Sequence, residues 1–232
     1  MRCSKPSRKY SEATAQGTST DDLPNRHRQA QENTKRKDGG GVGVSDMNVA
    51  ALNAAFPKYP ITIEDKGWVY GVWYCGTSWT KVKLHGQYPP TFLKRAIALF
   101  PLAKDILHCP SGTIEGPGIT IDAVCDKVRR PQIIANASAL PLPDESLDLV
   151  LSDPPYTPED SQKYGCAPFP MGRFMKECHR VLRPFGYLGM LHTYYPSYHR
   201  KNWRLVGLIA VVTGFSRATR MFSIFEKRRV LL

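Results

Sequence analysis

The sequence predicts an α/β protein: an open, mostly parallel sheet backed by helices and ending in an antiparallel hairpin. Three observations carry this. Short apolar runs, each stopped by a polar or turn-forming residue, alternate with amphipathic stretches of helical period. One run, Leu147-Asp148-Leu149-Val150-Leu151-Ser152, stops abruptly at Asp153-Pro154-Pro155-Tyr156. The last two runs, residues 203–213 and 219–226, are separated by five residues, which permits only an antiparallel pairing.

At 232 residues the chain has room for one domain with a sizeable core and a tail, or for two small domains. Its formal charge of +12 is uneven: net +3 over residues 1–50, −2 over 51–160 and +11 over 161–232. A field concentrated after Asp-Pro-Pro-Tyr predicts a polyanionic partner, nucleic acid ahead of membrane. Within it Arg200, Lys201, Arg204, Arg217, Arg220, Lys227, Arg228 and Arg229 are candidate phosphate contacts. The six cysteines (Cys3, Cys75, Cys109, Cys125, Cys166 and Cys178) show no CxxC pair or zinc-like spacing, so no metal site is expected. The N-terminus lacks the apolar core of a secretory signal, and the longest apolar run, 205–212, is too short to span a bilayer. These features predict a soluble, reduced, cytoplasmic protein.

Residues 1–46 are polar and basic and end in Gly39-Gly40-Gly41-Val42-Gly43, so a disordered tail is expected there. Met47 opens the first foldable segment and is a candidate native start, which the mass of the natively expressed protein would check. Over 47–85 a small N-terminal β element is expected, with strands at 68–74 and 78–84 and a turn at Cys75-Gly76-Thr77. Trp68, Trp73 and Trp79 fit a core cluster better than a base-stacking surface.

The main domain is expected over 86–232. Gln87-Tyr88-Pro89-Pro90 introduces a helix over 91–100, whose Phe92, Leu93, Ala96, Ile97 and Phe100 share an apolar face. Residues 105–109 form the first strand, left through Pro110-Ser111-Gly112-Thr113. Residues 118–122 form the second, ending in Asp122, and an acid there can take both ribose hydroxyls of a nucleoside. Nine residues then lead to a third strand over 132–137, so any helix between them is very short. Asp144-Glu145-Ser146 turns into the central strand at 147. The prolines after it bias Asp153 and Pro154 away from helix, presenting a carboxylate and a ring at the strand's C-terminal edge, where ligands bind in such sheets. The fourteen residues of 157–170 are long enough for a lid. An amphipathic helix over 171–182 follows, stopped by Arg183-Pro184-Phe185-Gly186, then a fifth strand over 187–192 and the terminal pair.

Asp153-Pro154-Pro155-Tyr156 resembles motif IV of the S-adenosylmethionine-dependent amino-methyltransferases, which act on exocyclic amines of nucleobases. Other segments resemble that family in its order. Tyr88 and Pro89 with the helix after them look like motif X, which covers the cofactor's methionine end. His108, Cys109, Pro110, Ser111 and Gly112 fall where motif I lies, with His108 at the usual acidic position and Ile114 in place of its second glycine. Asn136 and Ala137 begin a phrase similar to the adenine-holding Gly-Asp-Ala-x-x-Leu-Pro segment, and Arg180-Val181-Leu182-Arg183-Pro184-x-Gly186 recurs across the superfamily. The resemblance covers residues 86–228 and implies a Rossmann-like class I methyltransferase fold with a seven-stranded, mostly parallel sheet.

It also implies chemistry. Tyr88, Pro89, His108, Cys109, Pro110, Ser111, Gly112, Asp122, Asn136, Ala137 and Asp153 would line the S-adenosyl-L-methionine site. Asp153 and the Pro154 carbonyl would accept the two amine hydrogens, Pro155 would hold the turn, and Tyr156 would stack on the base. The implied activity is methylation of adenine N6 in DNA, with short or relaxed sequence specificity because little chain remains for a recognition region. Two alternatives stay open: an RNA base amino-methyltransferase, and a non-catalytic nucleic-acid-binding module that has kept the fold.

Overall fold

The computed structural model describes residues 47–76, 87–114, 116–214 and 217–229. The expected tail over 1–46, the expected strand over 78–84 and Trp79 lie outside these residues. In chain order the elements are α1 (Val49–Ala55), β1 (Thr62–Ile63), β2 (Val69–Tyr74), α2 (Phe92–Leu99), β3 (Ile106–His108), β4 (Ile119–Asp122), β5 (Ile133–Ile134) and β6 (Leu147–Ser152). Then come α3 (Pro158–Lys163), α4 (Met171–Val181), β7 (Leu182–His192), β8 (Trp203–Val212) and β9 (Arg220–Lys227).

β6 lies inside the sheet because it is apolar on both faces: Leu149 and Leu151 join one core, Leu147 and Val150 the other. Asp148 is the exception, and its partners sit at the strand's entry. Arg183 pairs with it, and its Oδ2 accepts the Lys104 and Asp105 N–H groups at 2.9 and 3.0 Å. Burial opposes its charge, yet these donors and the guanidinium hold the carboxyl below the usual range.

The strands form one sheet in the order β1-β2-β8-β9-β7-β6-β3-β4-β5. From β5 to β7 every pairing is parallel, whereas β9 runs antiparallel to both β7 and β8. Strands β3 to β9 thus reproduce the class I methyltransferase sheet, with its last strand inserted antiparallel. The N-terminal β segment proves to be part of the same sheet: β2 pairs in parallel with β8 from Val69↔Gly207 to Tyr74↔Val212. Among the described residues the sheet has nine strands, two more than expected: β1 pairs antiparallel with β2, and β2 supplies the buried Val69 and Trp73 that extend the core outward.

Helices cover both faces. Val49 and Leu52 of α1 and Phe92, Ala96 and Leu99 of α2 pack in one core; Phe174, Met175, Cys178 and Val181 of α4 pack in the other. Trp73 belongs to the first core, stacked on Phe222 at 5.4 Å while Phe92 meets the same ring edge-on at 5.0 Å. Gly189 of β7 makes room for that ring, since a Cβ there would lie 2.7 Å from Phe222. Gly189→Ala should therefore cost about 1–3 kcal/mol of stability in denaturant unfolding. An unshifted midpoint would contradict this packing account.

Three elements differ from expectation. The 157–170 segment contains α3, whose start follows known rules: Thr157 caps the Asp160 N–H, Pro158 sits in the first turn, and Glu159 and Asp160 face the positive helix end. β5 covers only Ile133–Ile134 of the expected 132–137; at its start side chains take over from the ladder, the Thr120 hydroxyl accepting from the Gln132 N–H at 2.9 Å and the Gln132 side chain from the Thr120 N–H at 3.0 Å. β7 starts at Leu182, so Arg183-Pro184-Phe185-Gly186 ends α4 by becoming strand. Among the described residues no helix is long and apolar enough to cross a membrane.

Candidate active site

Parallel strands β3, β4 and β6 end at one edge of the sheet, and the loops leaving them enclose a cavity of about 260 Å³. That is close to the lower end of the usual ~300–1,000 Å³ for small-molecule sites. Cys109, Pro110, Ser111 and Gly112 line it from β3, Asp122 from β4, and Asn136 and Ala137 from beyond β5. Tyr88 contributes from before α2, and Asp153 and Pro155 from beyond β6. Ten of the expected site residues thus converge on one space.

Asp122 organises the β3 loop. Its Oδ2 accepts the Gly112 N–H at 2.8 Å and its Oδ1 the Val124 N–H at 3.0 Å, and it is 7% exposed. Each oxygen keeps a second lone pair for a ligand hydroxyl. Gly112 has φ of +55°, a conformation glycine adopts without strain, and this bends the loop onto Asp122. Beside it Ser111 is buried with its hydroxyl unpartnered among the described residues, as is the Tyr88 hydroxyl.

Asn136 is held differently from its expected role. Its Oδ1 accepts both the Ser138 N–H at 2.9 Å and the Ser138 hydroxyl at 2.8 Å, so its lone pairs are taken. What it presents to a ligand is the Nδ2 donor pair, suited to a ring nitrogen rather than to an amine. Helix α4 secures this loop from behind: Arg180 donates to the Leu140 and Leu142 carbonyls, each at 2.8 Å, and Glu177 accepts the Leu140 N–H at 2.8 Å. The Arg-Val-Leu-Arg-Pro phrase therefore has a local mechanical role.

Four expected residues lie off the cavity. His108 is fully buried, its Nε2 bonded to the Pro117 carbonyl at 3.0 Å, which makes that nitrogen the donor. Burial pushes its pKa down, so the imidazole is neutral. Pro89 is buried at the start of α2, where its carbonyl accepts the Phe92 N–H, and it lines a neighbouring groove that shares Tyr88 and Ile114. Pro154 is buried below the turn. The Tyr156 ring packs on His192 at 4.8 Å, and its hydroxyl donates to Asp153 Oδ1 at 2.5 Å.

Asp153 is the electrostatic centre. Its Oδ2 lies 3.3 Å from Arg220 Nη1, which also reaches the Tyr156 hydroxyl at 3.2 Å. Burial raises its carboxyl to about 6 even though Arg220 and Tyr156 pull it down. The Tyr156 hydroxyl is pushed up by burial and by the neighbouring carboxylate and stays protonated.

Arg220, expected at a phosphate, lies instead at Asp153, because β9 is antiparallel to β7 and its first residue returns to the edge where β6 ends. The 157–170 segment supplies further lining through Tyr164, Cys166 and Phe169, and α4 through Arg173. Arg129 also lines the cavity, joined to Asp126 at 2.6 Å and to the Tyr164 carbonyl at 3.0 Å.

No protein-family model matches the sequence, and no curated protein matches it. Solved structures similar to this chain include proteins described as methyltransferases. TrmN from Thermus thermophilus aligns at 15% identity and a TM-score of 0.41, over 62% of this chain and 51% of TrmN. The putative methyltransferase yhhF from Escherichia coli aligns at 12% identity and 0.42, over 68% of this chain and 99% of yhhF. A SAM-dependent methyltransferase from Aquifex aeolicus aligns at 13% identity and 0.33, over 54% and 82%. This chain spans about half the length of TrmN.

Proposed function

We propose that this chain transfers a methyl group from S-adenosyl-L-methionine to an exocyclic amine of a nucleobase, adenine N6 in DNA being the favoured target. The observation that carries this is Asp153, the first residue of Asp-Pro-Pro-Tyr, lining the same cavity as Asp122, Ser111 and Asn136. The unpartnered hydroxyls of Ser111 and Tyr88 and the spare lone pairs of Asp122 fit a polar nucleoside ligand. S-adenosylmethionine would supply an electrophilic methyl on a sulfonium. The chain's own part is to hold the ribose at Asp122, keep the amine at Asp153 and exclude water with the 157–170 segment. An exocyclic amine is a poor nucleophile because its lone pair is delocalised into the ring. A carboxylate accepting its hydrogen returns electron density to nitrogen as the transition state forms.

A nucleic-acid partner fits the net charge of +12, but fewer basic residues serve it than the sequence suggested. Arg204 pairs with buried Glu226 at 2.8 Å, Lys227 bonds the Leu182 carbonyl at 2.7 Å and Glu145 at 3.1 Å, and Arg220 is held at Asp153. Arg200, Lys201, Arg228 and Arg229 are exposed at the opposite edge of the sheet from Asp153, where β8 starts and β9 ends. Arg217 is exposed in the β8–β9 turn, at the Asp153 edge. If it contacts a phosphate, Arg217→Glu should lower the slope of log affinity against log salt by about 0.9 in anisotropy titrations with DNA. An unchanged slope would leave Arg217 outside the interface.

Base-edge readout needs several placed side chains, each bidentate pair giving about 1–3 kcal/mol, and the basic residues offer sequence-independent attraction instead. Short or relaxed specificity follows. Because the base must leave the stack at a cost of a few kcal/mol, single strands should be modified at least as well as duplex. The deciding experiment incubates the protein with labelled cofactor and duplex DNA, single-stranded DNA or RNA, then identifies the methylated nucleoside. N6-methyladenosine in RNA alone, or methylcytosine alone, would overturn the target. Cofactor binding without any transfer would favour a non-catalytic module.

A further inference from the structure

We propose that Arg220 is the positioning residue of Asp153: its guanidinium bridges the carboxylate and the Tyr156 hydroxyl, keeping Asp153 charged and oriented toward the cavity. This rests on the amine-accepting role given to Asp153 above. The three side chains close a ring of hydrogen bonds. Tyr156 donates to Oδ1 at 2.5 Å, Arg220 reaches Oδ2 at 3.3 Å, and the same Nη1 meets the Tyr156 oxygen at 3.2 Å. A planar guanidinium anchored at the start of β9 can serve two acceptors at once, which a lysine ammonium on a flexible stem does poorly.

The surroundings make the cation necessary. Asp153 and Arg220 have side chains only 15% and 22% exposed, so solvent does little to stabilise the carboxylate. The other titratable groups nearby are Tyr88 before α2, Cys109 after β3, Tyr164 at the end of α3, His192 of β7 against Tyr156, and Cys75 after β2 near Arg220. Burial raises the tyrosines and cysteines and lowers His192, so all of them are neutral near pH 7. None of them can replace the guanidinium. A protonated Asp153 could no longer accept from an amine with a full charge, and its proton would compete for the same hydrogen bonds.

The test titrates the full chain carrying ¹³C-carboxyl aspartate, with the Asp153 resonance assigned through Asp153→Asn. In Arg220→Met the midpoint of Asp153 should rise by at least one pH unit; in Arg220→Lys it should rise by less. Circular dichroism and cofactor affinity check that each variant folds, and the lysine variant carries the test if the methionine variant does not. On an acceptor that the protein methylates, the acid limb of kcat should move with the NMR midpoint while KM changes little. A folded Arg220 variant with an unmoved midpoint overturns the inference, as does a change confined to the salt slope of nucleic-acid binding, which would return Arg220 to phosphate contact. A displaced midpoint in a protein inert toward DNA and RNA would uphold the positioning role and reject the methyl-transfer function.

Discussion

Asp153→Asn should lower methyl transfer by about 10²–10³-fold while leaving the fold and cofactor affinity close to those of the parent. The amide is nearly isosteric, so Tyr156 and Arg220 keep a partner in place. Asp153→Ala is a harsher change, because it leaves the largely buried Arg220 without its counter-ion, and loss of stability would then mix with loss of chemistry. The rate loss comes from charge: an amide oxygen polarises an amine hydrogen far less than a carboxylate, and its NH₂ side repels the amine. The same reasoning sets the pH dependence. Burial raises the Asp153 carboxyl to about 6 against the pull of Arg220 and Tyr156, and in the proposed mechanism the ionised form is the one that accepts the amine hydrogen. Activity should therefore be level above about pH 7 and fall tenfold per unit below about 6, a limb that Asp153→Asn should abolish. Near-parental turnover in Asp153→Asn, or no acid limb in the parent, would remove Asp153 from the mechanism.

Much of the sheet was legible because its signals are local. The run ending in Asp-Pro-Pro-Tyr is apolar on both faces and stopped by prolines, and it is β6 in the interior of the sheet. The five-residue connection demanded an antiparallel β8–β9 pair, and that pair is present. Parallel edge pairing left no such mark: β2 joins β8 across more than 130 residues of sequence, and alternation alone cannot say which strand it meets. α3 went unread: its cap and first-turn residues, Thr157, Pro158 and Glu159, stand among turn formers that make the whole segment look like a loop and hide a helix of six residues. In the site, backbone position was easier to foresee than side-chain partnership. Asp122 and Ser111 lie where strand ends placed them, whereas the turning of His108 to Pro117, of Asn136 to Ser138 and of Arg220 to Asp153 depends on three-dimensional neighbours. Arg220 shows the cost of reading charge by segment: a basic run suggested phosphate, yet antiparallel geometry delivers that one residue to a carboxylate.

Asp122→Ala should weaken S-adenosylmethionine binding at least tenfold in calorimetry. Each hydrogen bond to a charged acceptor is worth about 1.5–3 kcal/mol, and 1.4 kcal/mol is a factor of ten, so losing even one ribose contact reaches that threshold. The structure adds a second route to the same loss. Asp122 also holds the Gly112 N–H at 2.8 Å, so the alanine variant frees the β3 loop that carries Ser111. Asp122→Asn separates the two contributions, because its side-chain oxygen can still accept one backbone N–H while its NH₂ cannot accept a hydroxyl. If ribose contact dominates, the asparagine variant should lose nearly as much affinity as alanine; if the loop tether dominates, it should recover most of it. The control must avoid Asp126, which holds the cavity-lining Arg129 at 2.6 Å, and Asp65, exposed in the β1–β2 turn, serves instead. Unchanged affinity in both Asp122 variants would show that the carboxylate does not touch the cofactor and would return Asp122 to a purely structural part in the β3 loop.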